Sequence, residues 1–424
     1  MKIVLATFGS RGDVQPMLAL TLALQAAGHE ALLAGPPEKA AWARELDCPY
    51  TPLGEDVTDF IDRMPDAHSL KSAVKFISFV RNGIRAQFDL LPKIIKGADL
   101  VVGSSLIFAL SSVAEAMSID YRYIAFAPQL IPSGGHPFLA IKTQRLPKWA
   151  NRLTWTLARL SDKANITCLV NRQRKRMGLK PVADAWYNIM GHKLIVASDR
   201  AISEVPPDVT KPSVVQTGYM HLEMPDPKSD RLSRFLESGP PPVYAGFGSM
   251  PKLDQIHCVD TIVKAARLAG QRAIISRFWD EPTQYDNAED IFFIQKYPHL
   301  HLFPKMAAII HHGGAGTTAT AAISGQPQII VPHILDQYYW GRRIHSANLG
   351  PKPIRRSRLS VQKLAAAINA CVSDDTFKQT AKATAMAIWK TDGLALTVSE
   401  LLNYGKKKML QMSRLSTITD KGAI

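Results

Sequence analysis

The sequence is short of cysteine and acidic residues, and it has no metal-holding Asp-x-Asp pair, no Walker lysine and no long unbroken apolar run. Each shortage removes a class of protein. The four cysteines, Cys48, Cys168, Cys258 and Cys371, lie far apart with no C-x-x-C pair. That spacing excludes a disulfide scaffold or zinc cluster and points to a reducing, cytoplasmic compartment. Without any G-x-x-x-x-G-K there is no P-loop. The most membrane-like stretch, "LVVGSSLIFALSSVAEAM" from Leu100 to Met117, carries serines and Glu115, so it reads as a buried strand plus helix. The opening "MKIVLATFGSRGD" breaks at Gly9, too soon for a signal sequence, and reads as a first buried strand.

The acid deficit leaves 51 Lys and Arg against 36 Asp and Glu over 424 residues, a formal charge of +15. Such a balance favours nucleic acid, anionic membrane or acidic ligands. Between Lys142 and Arg176 ten basic residues face one acid, Asp162, with Trp149, Leu153, Trp155, Leu157 and Leu160 interleaved. No RNA-binding sheet motif or helix-turn-helix reader is present, so no nucleic-acid partner is expected. Segment 142–176 instead predicts a contact with an anionic membrane surface, which would make the protein peripheral on the inner face of a membrane. The plain alternative is a surface helix over the domain core.

Short apolar strands alternate with helical patterns along the chain. "KIVLAT", "EALLAG", "DLVVGSS", "YRYIAFA" and "KLIVAS" are strands of a first half; "PVYAGFGS", "RAIISR", "IFFIQ", "AAIIHH" and "PQIIVP" are strands of a second. This pattern predicts an α/β fold built from parallel β-α-β units. Both halves open alike, "ATFGSRGDVQP" and "YAGFGSMPKLDQI", each running strand, Phe-Gly-Ser, helix. The expected divisions are a first Rossmann-like domain over 1–216 and a Pro-rich linker over 217–239. A second domain over 240–384, a helix over 385–404 packing back across both, and a basic mobile tail over 405–424 complete the chain.

The most informative stretch is "AAIIHHGGAGTTATAAISGQPQIIVP", Ala307 to Pro332. A strand running into a glycine-rich turn and then a helix offers free backbone N–H groups at the positive end of a helix dipole, an anion site suited to phosphate. Thr317 and Thr318 can add hydroxyl donors, and a histidine at the strand end can add a donor or a full positive charge. "GAGTTA" also fits the loose pattern G-x-G-x-x-A with Asp336 downstream, so an NAD(P)-dependent oxidoreductase is the rival reading. Against it, the loop sits on about the fifth strand of its half, whereas a dinucleotide fingerprint opens its domain.

Taken together, "VYAGFGSM", "YPHLHLFPKMAAIIHHGGAGTTATAAISGQPQIIVPHILDQYYWGRRI" and "TFGSRGDVQPMLAL" resemble a GT-B glycosyltransferase. The likeness is to the large family 1/28-like group of sterol glucosyltransferases, bacterial antibiotic and glycolipid glycosyltransferases, and UDP-glucuronosyltransferase-like enzymes. The sterol type looks nearest. The resemblance implies two facing Rossmann-like domains, acceptor in the first and nucleotide-sugar donor in the second. Ser249, His312, Gly314, Gly316 and Thr317 would meet the donor diphosphate, and Asp336 and Gln337 the sugar hydroxyls. Pro298, His299, Leu302 and Phe303 would bracket the nucleobase, although His299 and His301 could merely cap a turn.

Asp13 would be the base that takes the acceptor's proton. The plainer alternatives are that Asp13 caps a helix starting near Gln15 and that Asp336 is a helix N-cap. His311 is expected to be structural, because alternate strand residues point oppositely. The acceptor would lie against Ser10, Arg11, Phe108, Pro132 and His136, within loops apolar enough for a sterol, hopanoid or polyketide; Ser10 and Arg11 could instead touch the donor phosphates. The implied reaction is one inverting displacement with no metal or cofactor, UDP-glucose serving as co-substrate. A dTDP-sugar and a macrolide-type acceptor form the alternative.

Overall fold

The computed structural model describes residues 1–63, 70–248, 252–277 and 282–403. The first sheet comprises β1 (Lys2–Phe8), β2 (Glu30–Gly35), β3 (Tyr50–Pro52), β4 (Leu100–Ser105), β5 (Asp120–Ala125), β6 (Lys193–Val196) and β7 (Ser213–Gln216), in the order β3-β2-β1-β4-β5-β6-β7. The second comprises β8 (Val243–Gly246), β9 (Ala273–Ser276), β10 (Ile291–Ile294), β11 (Ala308–His311) and β12 (Gln328–Ile330), in the order β10-β9-β8-β11-β12. Every pairing is parallel. Helices cover both faces of such sheets, which is why β1 and β11 read as continuous apolar runs. The short edge strands β3 and β7 were not among the expected strands, and the glycine loop follows the fourth strand of its half rather than the fifth.

Both sheets reverse their winding once, between β1 and β4 and between β8 and β11. The crevice beyond the carboxyl ends of strands at such a reversal is where open α/β sheets bind ligands. The helices that shape it are α1 (Arg11–Ala26), α2 (Lys148–Asp162), α3 (Ala315–Ile323), α4 (Gln337–Ser346) and α5 (Asp375–Trp389), with α6 at 393–403. Helix α1 leaves β1 and packs against α3 of the other domain, so the two reversal points face each other.

The linker expected over 217–239 is packed at both ends. Met220 and Leu222 enter the first domain's core with Leu401, while Leu232 joins Tyr244 and Ile274 in the second. The boundary expected at 384/385 falls inside α5, whose Ala381 and Ile388 pack with Tyr339 and Trp340. The chain crosses back only at 390–392, and α6 then docks Leu394, Val398 and Leu401 on the first core. The two crossings touch: Thr397 Oγ1 donates to Thr217 Oγ1 at 2.8 Å, and a Cβ on Gly393 would lie 2.6 Å from the carbonyl carbon of Gly218. The tail expected over 405–424 lies outside the described residues. Among the described residues no helix is long and apolar enough to cross a membrane.

Candidate active site

In the first domain the site begins where β1 ends. Helix α1 starts at Arg11, not near Gln15, and Ser10 is its N-cap residue. Asp13 therefore sits in the first turn and reaches back, accepting from the Ser10 N–H at 2.7 Å and from Ser10 Oγ at 3.1 Å. This is the carboxylate half of a capping box. Its other oxygen accepts from Ser105 Oγ at 2.6 Å. Ser105 ends β4 in the left-handed region, φ 57°, where a non-glycine residue is strained, and Tyr123 Oη donates to its carbonyl at 2.7 Å. Burial pushes the Asp13 carboxyl above the ordinary carboxylate range, against the lowering pull of the Ser105 and Ser10 hydrogen bonds. No motif pointed to Ser105, because its partnership with Asp13 spans 92 positions and depends on β4 lying beside β1.

Arg11 faces the donor side. Its guanidinium stacks over Trp42 at 4.8 Å, and burial lowers its pKa, an effect that Tyr244 of the second domain partly offsets. It also adds to the burial that pushes His299 down to about 3. Two other expected acceptor residues are withdrawn by burial. Phe108 is 2% exposed and packs on Trp186 in the core. His136 is 3% exposed, held between Trp155 and the second domain's Tyr339, with burial pushing its pKa down to about 4. Leu106, beside Ser105, is half-buried, and Pro132 is half-buried in its loop.

In the second domain the two histidines divide as alternation requires. His311 is fully buried, with Nε2 on Gln328 Oε1 at 2.9 Å and Nδ1 accepting the Gly313 N–H at 3.1 Å. His312 turns the other way into a slot between glycines. A Cβ on Gly248 would lie 2.8 Å from its Cε1, and one on Gly314 2.6 Å from its Nε2. Its Nδ1 is buried with no hydrogen-bond partner among the described residues. Burial, aided by His311, His333 and His299, holds this imidazole well below the usual histidine range, so it is neutral.

Helix α3 begins immediately beyond, with Gly314 as an N-cap that has no side chain to offer. Its first intrahelical bond runs from Thr318 N to Gly314 O at 2.9 Å, so the N–H groups of Ala315, Gly316 and Thr317 have no partner within the helix. Gly316 admits Tyr219, whose Oη would lie 2.6 Å from a Cβ there.

Asp336 stands at the N-cap of α4 yet makes no capping bond. Burial first, and the charge of Asp13 second, push it up to about 7, so the two carboxyls sense each other across the cleft. Gln337 is buried and its Oε1 accepts from the N–H groups of His333 and Ile334 at 2.8 and 3.0 Å. That bracing builds the turn that presents Asp336. In the expected base-binding segment, Leu302 and Phe303 are fully buried core, which removes them as nucleobase contacts. Pro298 and His299 remain half-buried, His299 bonded to Tyr244 Oη at 3.1 Å. Ser249 lies outside the described residues.

Two facing Rossmann-like domains, one with a buried carboxylate and one with a bare helix N-terminus at their reversal points, define a GT-B glycosyltransferase. Residues 3–132 match the glycosyltransferase family 28 N-terminal domain, and residues 288–389 match the erythromycin biosynthesis protein CIII-like C-terminal domain. The chain is 33% identical over 417 residues to a vancomycin aglycone glucosyltransferase of Amycolatopsis orientalis, covering 95% of this chain and 97% of that protein. It is 32% identical over 421 residues to a sterol 3-beta-glucosyltransferase of Arabidopsis thaliana, covering 94% of this chain and 67% of that one. The solved structure of the glycosyltransferase VinC in complex with DTDP shares the fold, with TM-score 0.69 and 19% identity over 96% of this chain and all (100%) of that one. The chain belongs to the glycosyltransferase family that holds the antibiotic and sterol glucosyltransferases. Identity does not rank the sterol type above the antibiotic type.

Proposed function

We propose that this glycosyltransferase moves glucose from UDP-glucose onto a hydroxyl of a lipophilic acceptor, a sterol, hopanoid or other lipid alcohol drawn from an anionic membrane surface, inverting the anomeric carbon. The observation that carries the reading is the placement of a buried, hydrogen-bonded Asp13 opposite an uncapped helix N-terminus and a neutral His312.

The acceptor oxygen attacks the anomeric carbon while its proton passes to Asp13, and the glycosidic bond to the diphosphate breaks with its electron pair on the leaving oxygen. Asp13 suits this role because burial raises its proton affinity while Ser10 and Ser105 keep it aimed. The leaving diphosphate meets the free N–H groups of α3, with Gly314, Gly316 and Thr317 lining it and His312 as a neutral donor. Asp336 takes the sugar hydroxyls, held in place by Gln337, while Pro298 and His299 flank the base.

Thermal-shift titration with UDP, dTDP and NADH, with and without EDTA, tests the donor. A nucleotide at a hundred times its Kd stabilises the fold by about 2.7 kcal/mol. The UDP shift is expected to survive EDTA, and turnover of UDP-glucose with a sterol panel should follow. The second reading, a dTDP-sugar and a macrolide-type or other natural-product acceptor, is supported by the vancomycin aglycone glucosyltransferase relative and a fold neighbour solved with DTDP. A shift with dTDP and none with UDP would select it, and a shift with NADH alone would sink both.

A further inference from the structure

Helix α2 presents two faces that fold stability alone does not require. Its inner face is anchored: Asn151 Nδ2 donates to the Gly134 carbonyl at 2.8 Å, and Trp155, 3% exposed, donates from Nε1 to the His136 carbonyl at 3.2 Å. Trp155 thus leaves the apolar stripe expected from sequence. The outer face carries Trp149, Leu153, Leu157 and Leu160, exposed by 69, 48, 58 and 62%. At 100° per residue these four side chains fall within an arc of about 80°. On the same wheel Lys148, Arg152, Arg159 and Lys163 form a second strip of about 60° along one edge of the apolar one.

Solvent exposure of four large apolar groups in a row is unfavourable unless something covers them. Arg152 pairs with Asp208 at 3.2 Å and Arg159 with Asp184, while Lys148 and Lys163 are exposed. Arg174 leaves the expected basic set, because it is buried against Glu115 and Ser112. The remaining charge is still one-sided, since Asp162 is the only acid from Lys142 to Arg176.

We propose that α2 lies flat on an anionic lipid bilayer, with Trp149, Leu153, Leu157 and Leu160 sunk among the acyl chains and Lys148 and Lys163 among the headgroups. A helix with a narrow apolar face, a basic flank and a Trp at its end is the form that interfacial helices take. A second copy of this chain is a poorer cover, because it would set like charges together; nucleic acid is poorer still, because the leucines offer phosphate nothing. The position also serves the reaction. Trp155 touches Phe138 at 5.2 Å, Phe138 touches Trp186 at 6.3 Å, and Trp186 touches Phe108 at 6.3 Å, just after the loop that carries Ser105. The docked face thus backs onto the acceptor half. The purpose of docking rests on the lipophilic-acceptor reading, whereas its test reads binding with no turnover.

The test is co-sedimentation of the full chain with vesicles of phosphatidylcholine, with and without added anionic phosphatidylglycerol, whose negative surface potential attracts basic residues. Binding to the anionic vesicles is expected to exceed that to neutral ones about tenfold, and brominated lipid should quench a tryptophan signal that Trp149→Phe removes. A variant joining Trp149→Ala, Leu153→Ser, Leu157→Ser and Leu160→Ser should lose vesicle binding at least tenfold. It should keep the melting temperature and UDP response of the parent, because those side chains are exposed. Three results would each overturn the proposal: no binding by the parent, full binding by the fourfold variant, or a parent dimer in sedimentation velocity that the variant dissolves without altering vesicle binding.

Discussion

The two halves of the molecule use one local design for opposite purposes. At each reversal point a strand runs through a glycine-bearing turn into a helix, β1 through Gly9 into α1 and β11 through Gly313 and Gly314 into α3. In the first half, the positive end of α1 is filled by the chain's own carboxylate, Asp13, at 2.7 Å from the Ser10 N–H. In the second, α3 opens on Gly314, which has nothing to fill it. A helix N-terminus favours an anion, so the first half meets that preference with its own carboxylate, while the second leaves it open to a ligand. The difference lies in the first turn of each helix, a carboxylate in one and bare glycines in the other, and under the proposed function it divides acceptor chemistry from donor binding.

The sharpest way to break that division is Asp13→Asn. Loss of the base should cut kcat/KM by about 10²–10⁴ while the UDP-induced rise in melting temperature stays as it was. If UDP binding falls along with turnover, Asp13 serves the donor and the two halves are not separate. A matched pair of glycine substitutions comes next. Gly314→Ala puts a methyl 2.6 Å from His312 Nε2, and Gly9→Ala puts one 2.3 Å from Asp13 Oδ2. The first should weaken UDP binding about tenfold, worth about 1.4 kcal/mol, with kcat less affected; the second should lower kcat and spare UDP affinity. Calorimetry with UDP and steady-state kinetics on both variants would expose any crossing of effects.

How far these roles were readable follows from the range of each signal. The strand–glycine–helix grammar is local, so every strand but the short edges β3 and β7, the His311/His312 division and the α3 N-terminus were legible in consecutive residues. Burial was not. Phe108 sits in a turn, and Leu302 and Phe303 in short helical turns, that resemble pocket linings in sequence, and only the packing of several elements assigns them to the core. Arg11 and His136 were placed on the acceptor side by sequence neighbourhood, but contacts with the opposite domain decide their surroundings. Residues 217–239 have linker composition, yet Met220, Leu222 and Leu232 fix them to the two domains, a long-range outcome that proline and polar content conceal.

Ser105 offers a finer probe, because it acts on the reaction only through Asp13. Its hydroxyl lowers the Asp13 pKa, so Ser105→Ala should raise it and move the acidic limb of the kcat/KM profile to higher pH. Above the limb the rate should change only a few-fold. An unmoved limb with a uniformly lower rate would make Ser105 a structural residue alone.

The smallest effect concerns how the two halves sense each other. Asp336 is pushed up to about 7, by burial first and by the charge of Asp13 second. A carboxyl that titrates near 7 when folded and near 4 when unfolded holds its proton more tightly in the folded state. Its contribution to stability is therefore whole below about pH 4 and is lost as pH rises toward 7. Asp336→Asn does not titrate, so its melting temperature relative to the parent should climb across that window and level off above it. The difference should reach about 1–2 kcal/mol, a discounted figure because the side chain is partly open to solvent. Repeating the series on an Asp13→Asn background isolates the part that crosses the cleft. With the Asp13 charge gone, the Asp336 inflection should move to lower pH; an inflection that stays put would mean that burial alone sets it and that the carboxyls of the two halves act independently.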